Sequence, residues 1–154
     1  QQILNNLTIA VDSMSREIRT GYNYYCSDNP DDQPVESAER NCNDGETFLS
    51  LVEAGNSLTE GTGTSRIAYT FSPNYYVASG YGAILRRIST DQDAWIPLTA
   101  ANVNITDAEF VVTGTADGEQ PTVTIFITGE AGELAETEVD FEIQTSVTQR
   151  PLDI

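Results

Sequence analysis

Hydrophobic side chains recur every three or four residues at the start of the chain. In residues 1–20 they form one stripe, consisting of Leu4, Leu7, Val11, Met14 and Ile18. This spacing places side chains on one face of an α-helix, and Gly21 follows where the helix is expected to end, since glycine adopts a left-handed backbone without steric cost. We therefore predict an amphipathic helix over residues 1–20 that packs through the stripe. Ile9 lies off the stripe, so it is either incidental or a contact with another molecule.

Much of the remaining chain alternates between apolar and polar residues. In residues 122–128 the apolar side chains of Val123, Ile125 and Ile127 occupy every second position, which is typical of a strand with one buried face. Further strand segments are expected within the β-rich region 47–150, at residues 48–52, 66–71, 75–77, 83–88, 95–99, 108–113 and 139–147. Ser72–Pro73–Asn74 is expected to form a turn. In the last strand the residues expected to point inward are Val139, Phe141 and Ile143.

Residues 22–46 are polar, lack periodicity and contain Pro30 and Pro34, which predicts a loop. The two cysteines of the chain, Cys26 and Cys42, lie within it. A disulfide between them is the simplest interpretation and would imply an oxidising compartment. Two buried, reduced cysteines in a cytosolic protein are the alternative. Zinc is not favoured, because two cysteines without any histidine do not readily complete four ligands.

One N-terminal helix followed by a long β-rich region predicts an α+β fold. We expect the helix to pack against an antiparallel sheet. The 154 residues suit a single globular domain, 1–154, with its own core.

The net charge and the missing residue types limit which partners and which enzymatic activities are expected. The formal net charge is −17, from 24 acidic and 7 basic residues, which makes contact with nucleic acid or an anionic membrane surface strongly repulsive. The chain has no histidine and no lysine, so the usual bases and nucleophiles are missing and we expect no enzyme. A carboxylate-based glycoside hydrolase is the alternative, although no pair of carboxylates is singled out.

Calcium is the cofactor for which the sequence offers candidates. Carboxylate oxygens in loops suit this cation, and they are supplied by Asp28, Asp31 and Asp32, or by Asp91 and Asp93. No EF-hand spacing is present. Solvated acidic loops explain the same residues equally, so the default expectation is no cofactor.

Several polar residues invite a functional interpretation. Asn6 and Asn104 begin triplets of the N-glycosylation type, which we treat as incidental. Arg86 and Arg87 are adjacent in a predicted strand, so they must point to opposite faces of the sheet. Arg16 and Arg19 form the basic part of the helix surface.

The order of several sequence segments along the chain resembles that of a type IV pilin-like protein. The resemblance is greatest to a minor pilin or a J-type minor pseudopilin of type II secretion. The resemblance is carried by LTIAVDSMSREIRTG (7–21), YVASGYGAILRRI (76–88), IPLTAANVNITDAEFVVTG (96–114), QPTVTIFITG (120–129) and FEIQTSVTQRPLDI (141–154). It implies a helix packed on an antiparallel sheet, passage through the inner membrane, and assembly with other pilin or pseudopilin subunits into a filament or its tip. The corresponding location is extracellular or at the cell surface, with a periplasmic stage during assembly.

The start of the chain departs from that pattern, because the processed aromatic residue, the nearby acidic residue and the apolar anchor are absent before Leu7. We therefore expect that the sequence begins inside a longer helix and that the full-length form is anchored in a membrane by an N-terminal apolar segment. The functional hypothesis is a non-enzymatic structural subunit that assembles through its helix. The alternative is an adhesin-like binding module whose ligand contacts the tyrosine-rich cystine loop through Tyr22, Tyr24 and Tyr25.

Overall fold

The computed structural model describes residues 2–35, 37–54, 66–88, 95–131 and 139–150, with the backbone alone for residues 2–4. These ranges contain one helix, α1 (Gln2–Thr20), and nine strands. In chain order the strands are β1 (Tyr22–Ser27), β2 (Cys42–Glu46), β3 (Phe48–Val52), β4 (Arg66–Tyr76), β5 (Tyr81–Ile88), β6 (Ile96–Pro97), β7 (Val103–Thr113), β8 (Thr122–Ala131) and β9 (Val139–Thr148).

The strands form two antiparallel sheets. Sheet A has the order β1-β3-β4-β5-β6, and sheet B has the order β2-β7-β8-β9. The structure is therefore mostly β, and the prediction of a pilin-like α+β fold, with a helix packed on one sheet, is wrong. The sequence pattern shows which residues alternate but not which strands pair, and here partners such as β2 and β7 lie far apart in the chain.

The segment 22–46 accounts for part of this error. It was expected to be a loop, but its two ends are strands β1 and β2, which belong to different sheets. Tyr22 marks the start of β1 directly after α1. Short strands without apolar alternation, such as CNDGE in β2, are formed by pairing with a neighbour and carry no pattern of their own.

The hydrophobic core joins α1 to both sheets. Leu7, Val11, Met14 and Ile18 of the helix stripe are buried in one cluster that includes Leu49 of sheet A and Ile125 of sheet B. The side chain of Leu4 lies outside the described residues. Apolar burial of this kind contributes roughly 1.5–3 kcal/mol per large side chain, so the helix is held mainly by its stripe.

Gly21 directly follows the last residue of α1, at a point where the chain packs closely against β3. Its backbone is not in the left-handed region, which differs from the expected role. A Cβ atom at this position would collide with a side-chain methyl of Leu51 and would lie 2.8 Å from the carbonyl oxygen of Val52. Glycine is therefore needed where the helix end approaches β3.

Two smaller expectations also fail. Ser72–Pro73–Asn74 is not a turn but part of β4, where the register with β5 shifts and Asn74 has a positive φ of 59°. Val139 is not buried in the core: it lies on the same side of β9 as Phe141 and Ile143, but at the start of the strand it is 56% exposed. Phe141 and Ile143, further along the strand, do pack against the core.

Sheet A is buried on its second side by the cystine loop. Ser50, Ala68 and Arg87 are cross-strand neighbours and so share one side of the sheet, with Arg66 two residues before Ala68. Arg66 is only 1% exposed, and its guanidinium donates hydrogen bonds to the carbonyl oxygens of Val35 (3.0 Å), Ala38 (2.6 Å) and Asn23 (3.1 Å). This arginine therefore holds the loop against β4.

Arg87 holds the same loop from β5. It is also 1% exposed and donates to the carbonyl oxygens of Pro30 (3.3 Å) and Asp32 (2.9 Å). Its guanidinium carbon lies 5.6 Å from the ring centre of Phe48 and 4.6 Å from that of Trp95, within cation–π range. Trp95, the single tryptophan, thus covers a buried cation.

Replacement of Arg66 by alanine is expected to lower the free energy of unfolding by about 3 kcal/mol, because buried carbonyls lose their donors and a cavity remains. Urea unfolding followed by the fluorescence of Trp95 measures the change. Arg150→Ala is the matched control, since Arg150 is exposed, and we expect a change of about 0.5 kcal/mol or less. Equal effects of the two variants would contradict the role given to Arg66.

The buried hydroxyl of Tyr24 leads us to predict a loss of stability at alkaline pH. Its hydroxyl is buried and donates to the carbonyl oxygen of Ile18 and, at 3.2 Å, to that of Gly21. Burial raises the pKa of Tyr24 above its ordinary value of 10.0, so the folded state keeps a proton that the unfolded state releases. The stability linked to this proton is complete below about pH 10 and is lost as the pH rises above it.

The variant Tyr24→Phe separates the contribution of the hydrogen bonds from the contribution of the retained proton. Near neutral pH it should be less stable by about 1 kcal/mol, because the two hydrogen bonds are lost. Above about pH 10 the difference from the parent should shrink, since phenylalanine has no proton to lose. Urea midpoints at both pH values test this, and an unchanged difference would contradict the assignment.

Candidate interaction surface

The orientation of α1 is determined by a polar contact with sheet A. Glu17 accepts two hydrogen bonds from Arg86 of β5, from Nε at 2.9 Å and from Nη2 at 2.5 Å, and a third from the hydroxyl of Tyr69 of β4. The hydrogen bond to Glu17 is the largest cause that raises the pKa of the Arg86 guanidinium. Burial raises the pKa of Tyr69, and its hydrogen bond to Glu17 adds to the effect.

This contact and the buried stripe leave the other side of α1 facing outward. Ile9 is 64% exposed on that side. Because the bidentate pair of Glu17 with Arg86 is geometrically specific, the helix cannot rotate to bury Ile9 without breaking it. The exposure of this isoleucine is therefore built into the packing.

A groove runs beside Ile9. It has a volume of about 480 Å³, and we call it the helix groove. Its lining comes from α1 and from the chain around β6, and comprises Asn6, Ile9, Ala10, Ser13, Tyr76, Pro97, Leu98, Thr99 and Ala100. None of these side chains is charged, in a chain with 24 acidic residues.

The wall opposite the helix is held by hydrogen bonds. The hydroxyl of Tyr76 donates to the carbonyl oxygen of Thr99 at 2.6 Å, and the amide of Leu98 donates to the carbonyl oxygen of Ile84 at 2.8 Å. The amide of Ile84 in turn donates to the hydroxyl of Thr99 at 3.2 Å. Ile96, next to this wall, is 61% exposed, so apolar surface continues beyond the groove.

Sequence reasoning singled out Ile9 but missed the rest of the groove. Ala10 and Ser13 are small residues beside Ile9 on the helix, which is the one signal that the sequence offers. Tyr76 and residues 97–100 are brought to the helix only by the path of sheet A.

The cystine loop is closed by the disulfide between Cys26 and Cys42, with a Cα–Cα distance of 5.8 Å. It links β1 of sheet A to β2 of sheet B. Arg40, next to it in the loop, pairs with Glu46 at 2.6 Å. The disulfide therefore joins the two sheets at the ends of the loop that Arg66 and Arg87 hold.

The tyrosines of this loop do not form a common platform. Tyr24 is 1% exposed and its hydroxyl binds the end of α1, whereas Tyr22 and Tyr25 are only half-buried. A ligand on the surface cannot reach Tyr24 in this arrangement.

The calcium candidates in the loop do not converge. Both carboxylate oxygens of Asp32 already accept hydrogen bonds, from the Ser27 hydroxyl at 2.6 Å and the Asn29 amide at 3.3 Å, and Asp28 and Asp31 are exposed. Asp91 and Asp93 lie outside the described residues. In the described part of the chain, the side chains close enough to share a metal are Cys26, Cys42 and Glu46, and both sulfurs belong to the disulfide.

The glycosylation-type asparagines occupy different settings. Asn6 is exposed and lines the helix groove. Asn104 is half-buried, and its side-chain oxygen accepts a 3.0 Å hydrogen bond from the amide of Gly82. Arg86 and Arg87 do lie on opposite sides of sheet A, where Arg86 has an acidic partner and Arg87 contacts carbonyl oxygens and aromatic rings.

No family model, curated protein or solved structure matches this chain. The resemblance to pilin-like proteins therefore depends on the sequence segments alone. Among the described residues, no helix is both long and apolar enough to cross a membrane.

Removal of the disulfide should lower the free energy of unfolding by about 3 kcal/mol, the loop-closure value for a loop of this length. The double variant Cys26→Ser, Cys42→Ser, compared with the parent by urea unfolding, measures the loss. A reducing agent should destabilise the parent and leave the double variant unchanged. If the free energy of unfolding of the parent is the same with and without reductant, the disulfide does not stabilise the fold.

Proposed function

We propose that the chain is a non-enzymatic structural subunit of an extracellular or cell-surface filament, of the type IV pilus or type II secretion pseudopilus kind. In this proposal it contacts neighbouring subunits through the exposed side of α1. The observation that carries it is Ile9, an apolar side chain that is 64% exposed because the buried stripe and the contact of Glu17 with Arg86 turn this side of α1 outward.

The helix groove supplies the rest of the contact surface. A neighbouring side chain that enters it meets apolar and uncharged groups held by the hydrogen bonds of Tyr76, Leu98 and Thr99. Burial of the exposed part of the Ile9 side chain contributes roughly 1–2 kcal/mol, about two thirds of the value for a fully exposed isoleucine, and Ile96 extends the apolar area. Exposed apolar side chains mark protein contacts when they are contiguous, so the proposed contact comprises Ile9, the helix groove and Ile96 together.

Charge supports the same surface. Subunits with a net charge of −17 repel each other over most of their surfaces. The uncharged lining of the helix groove is a place where two acidic subunits meet without opposing carboxylates. Arg16 and Arg19 lie further along the same helix and offer cations to an acidic neighbour.

The disulfide supports the proposed location, because such bonds persist mainly in oxidising compartments. The choice of a pilus-type filament rests on the sequence resemblance. In the adhesin-like alternative, Tyr24 cannot contact a surface ligand because it is buried, so the ligand would contact the half-buried Tyr22 and Tyr25.

The variant Ile9→Asp tests the proposal in the full-length protein in its source cells. We expect at least a tenfold loss of the subunit from the filament fraction sheared from the cells, because a buried, unpaired carboxylate opposes assembly. Val35→Asp is the matched control, since Val35 is 69% exposed on the cystine loop and should leave assembly unchanged.

The folded state of both variants is checked by thermal unfolding of the purified chain 1–154, where we expect parental midpoints because both positions are exposed. Normal filaments with Ile9→Asp would refute the proposal. Loss of assembly with Val35→Asp as well would show that the contact is not confined to the helix.

A further inference from the structure

Strand β9 is a long edge strand. It pairs with β8 along ten residues, from Val139 opposite Ala131 to Thr148 opposite Thr122, with no shift of register. Within the described residues no strand pairs with its other edge. An edge of this length usually contains proline, a bulge, charged side chains or a cover that prevents pairing. β9 has neither proline nor a register shift, and its charged residues, Asp140 and Glu142, are confined to its start.

The inner side of β9 is only partly covered. Phe141 and Ile143 pack against the core but remain half-buried, and Val139 is 56% exposed. A strand added at this edge would bury more of each of these side chains, in addition to pairing the backbone.

Charge along β9 is strongly asymmetric. Asp140 and Glu142 lie near its start, residues 143–149 carry no charge, and Arg150 follows its end. An antiparallel copy of the same strand therefore places the acidic start of one strand against the uncharged second half of the other. A parallel copy would place carboxylate opposite carboxylate.

We propose that β9 pairs with β9 of a second copy of this chain. A two-fold axis makes the pair antiparallel, and the result is one continuous eight-stranded sheet built from two copies of sheet B. This pairing goes beyond the proposed filament contact and does not depend on it, since it uses β9 and not α1.

In the proposed register the two-fold axis lies at Ile143. With the axis at Ile143, this residue faces its own counterpart, Asp140 faces Ser146, and Glu142 faces Gln144. Moving the axis by one residue to Glu142 would set two carboxylates opposite each other, which is destabilising. The axis at Ile143 also places Val139 opposite Val147, so the inner side remains apolar.

The whole-chain charge of −17 opposes the pairing at low ionic strength. At physiological salt the screening length is about 8 Å, so distant carboxylates no longer contribute while those at the strand still do. The dimer should therefore become tighter as salt is raised, and sedimentation velocity at low and physiological salt measures the shift.

Single cysteines test the register. The described part of the parent has no free thiol. With the axis at Ile143, the two Gln144 Cα atoms are about 8 Å apart, whereas the two Thr148 Cα atoms are separated along the strands by about 33 Å. A short bismaleimide should therefore cross-link the Gln144→Cys dimer and should fail with Thr148→Cys.

Substitutions that change the charge at position 144 test the register independently, through the affinity of the dimer. Gln144→Lys faces Glu142 twice in the dimer and should tighten it roughly fivefold, while Gln144→Glu should weaken it by a similar factor. Val77→Lys, which makes the same change in net charge in the turn between β4 and β5, should have a much smaller effect. A monomer at all salt concentrations, or equal cross-linking at positions 144 and 148, would overturn the proposal.

Discussion

Two adjacent arginines on β5 connect the parts of this protein that lie on opposite sides of sheet A. Because neighbouring residues of a strand point to opposite faces, Arg86 reaches Glu17 of the helix while Arg87 reaches the carbonyl oxygens of the cystine loop. Arg66 repeats the second contact from β4. Buried polar groups generally need hydrogen-bond partners; the helix provides them for Arg86, and the loop provides them for Arg66 and Arg87.

These contacts also decide which surfaces stay open. The Glu17 pair limits the rotation of α1, so the helix buries its stripe and presents Ile9 beside an uncharged groove. The loop covers the far side of sheet A, with the disulfide linking it to sheet B. Two of the surfaces that stay accessible in the described part of the chain are the outer face of the helix and the edge of β9.

The two proposed contacts meet the same electrostatic condition. In a chain with 24 acidic residues, association is favoured only where carboxylates are absent or face neutral or basic groups. The helix groove satisfies this condition by having no charged lining. Strand β9 satisfies it by carrying its acids at one end, so that across a two-fold axis each acid faces an uncharged residue.

The helix and most strands could be predicted from the sequence, because the stripe from Leu7 to Ile18 and the alternation from Val123 to Ile127 are local patterns. The α+β fold class was wrong, since a period of two says that a strand exists but not which strand it pairs with. Ile9 was recognised as an outlier, but the groove beside it was not, because Tyr76 and Thr99 approach the helix only through long-range pairing. The burial of Arg66 and Arg87 was likewise decided by tertiary structure: an arginine has no apolar signal, and only a loop folded back over the sheet brings the carbonyl oxygens that allow it to be buried.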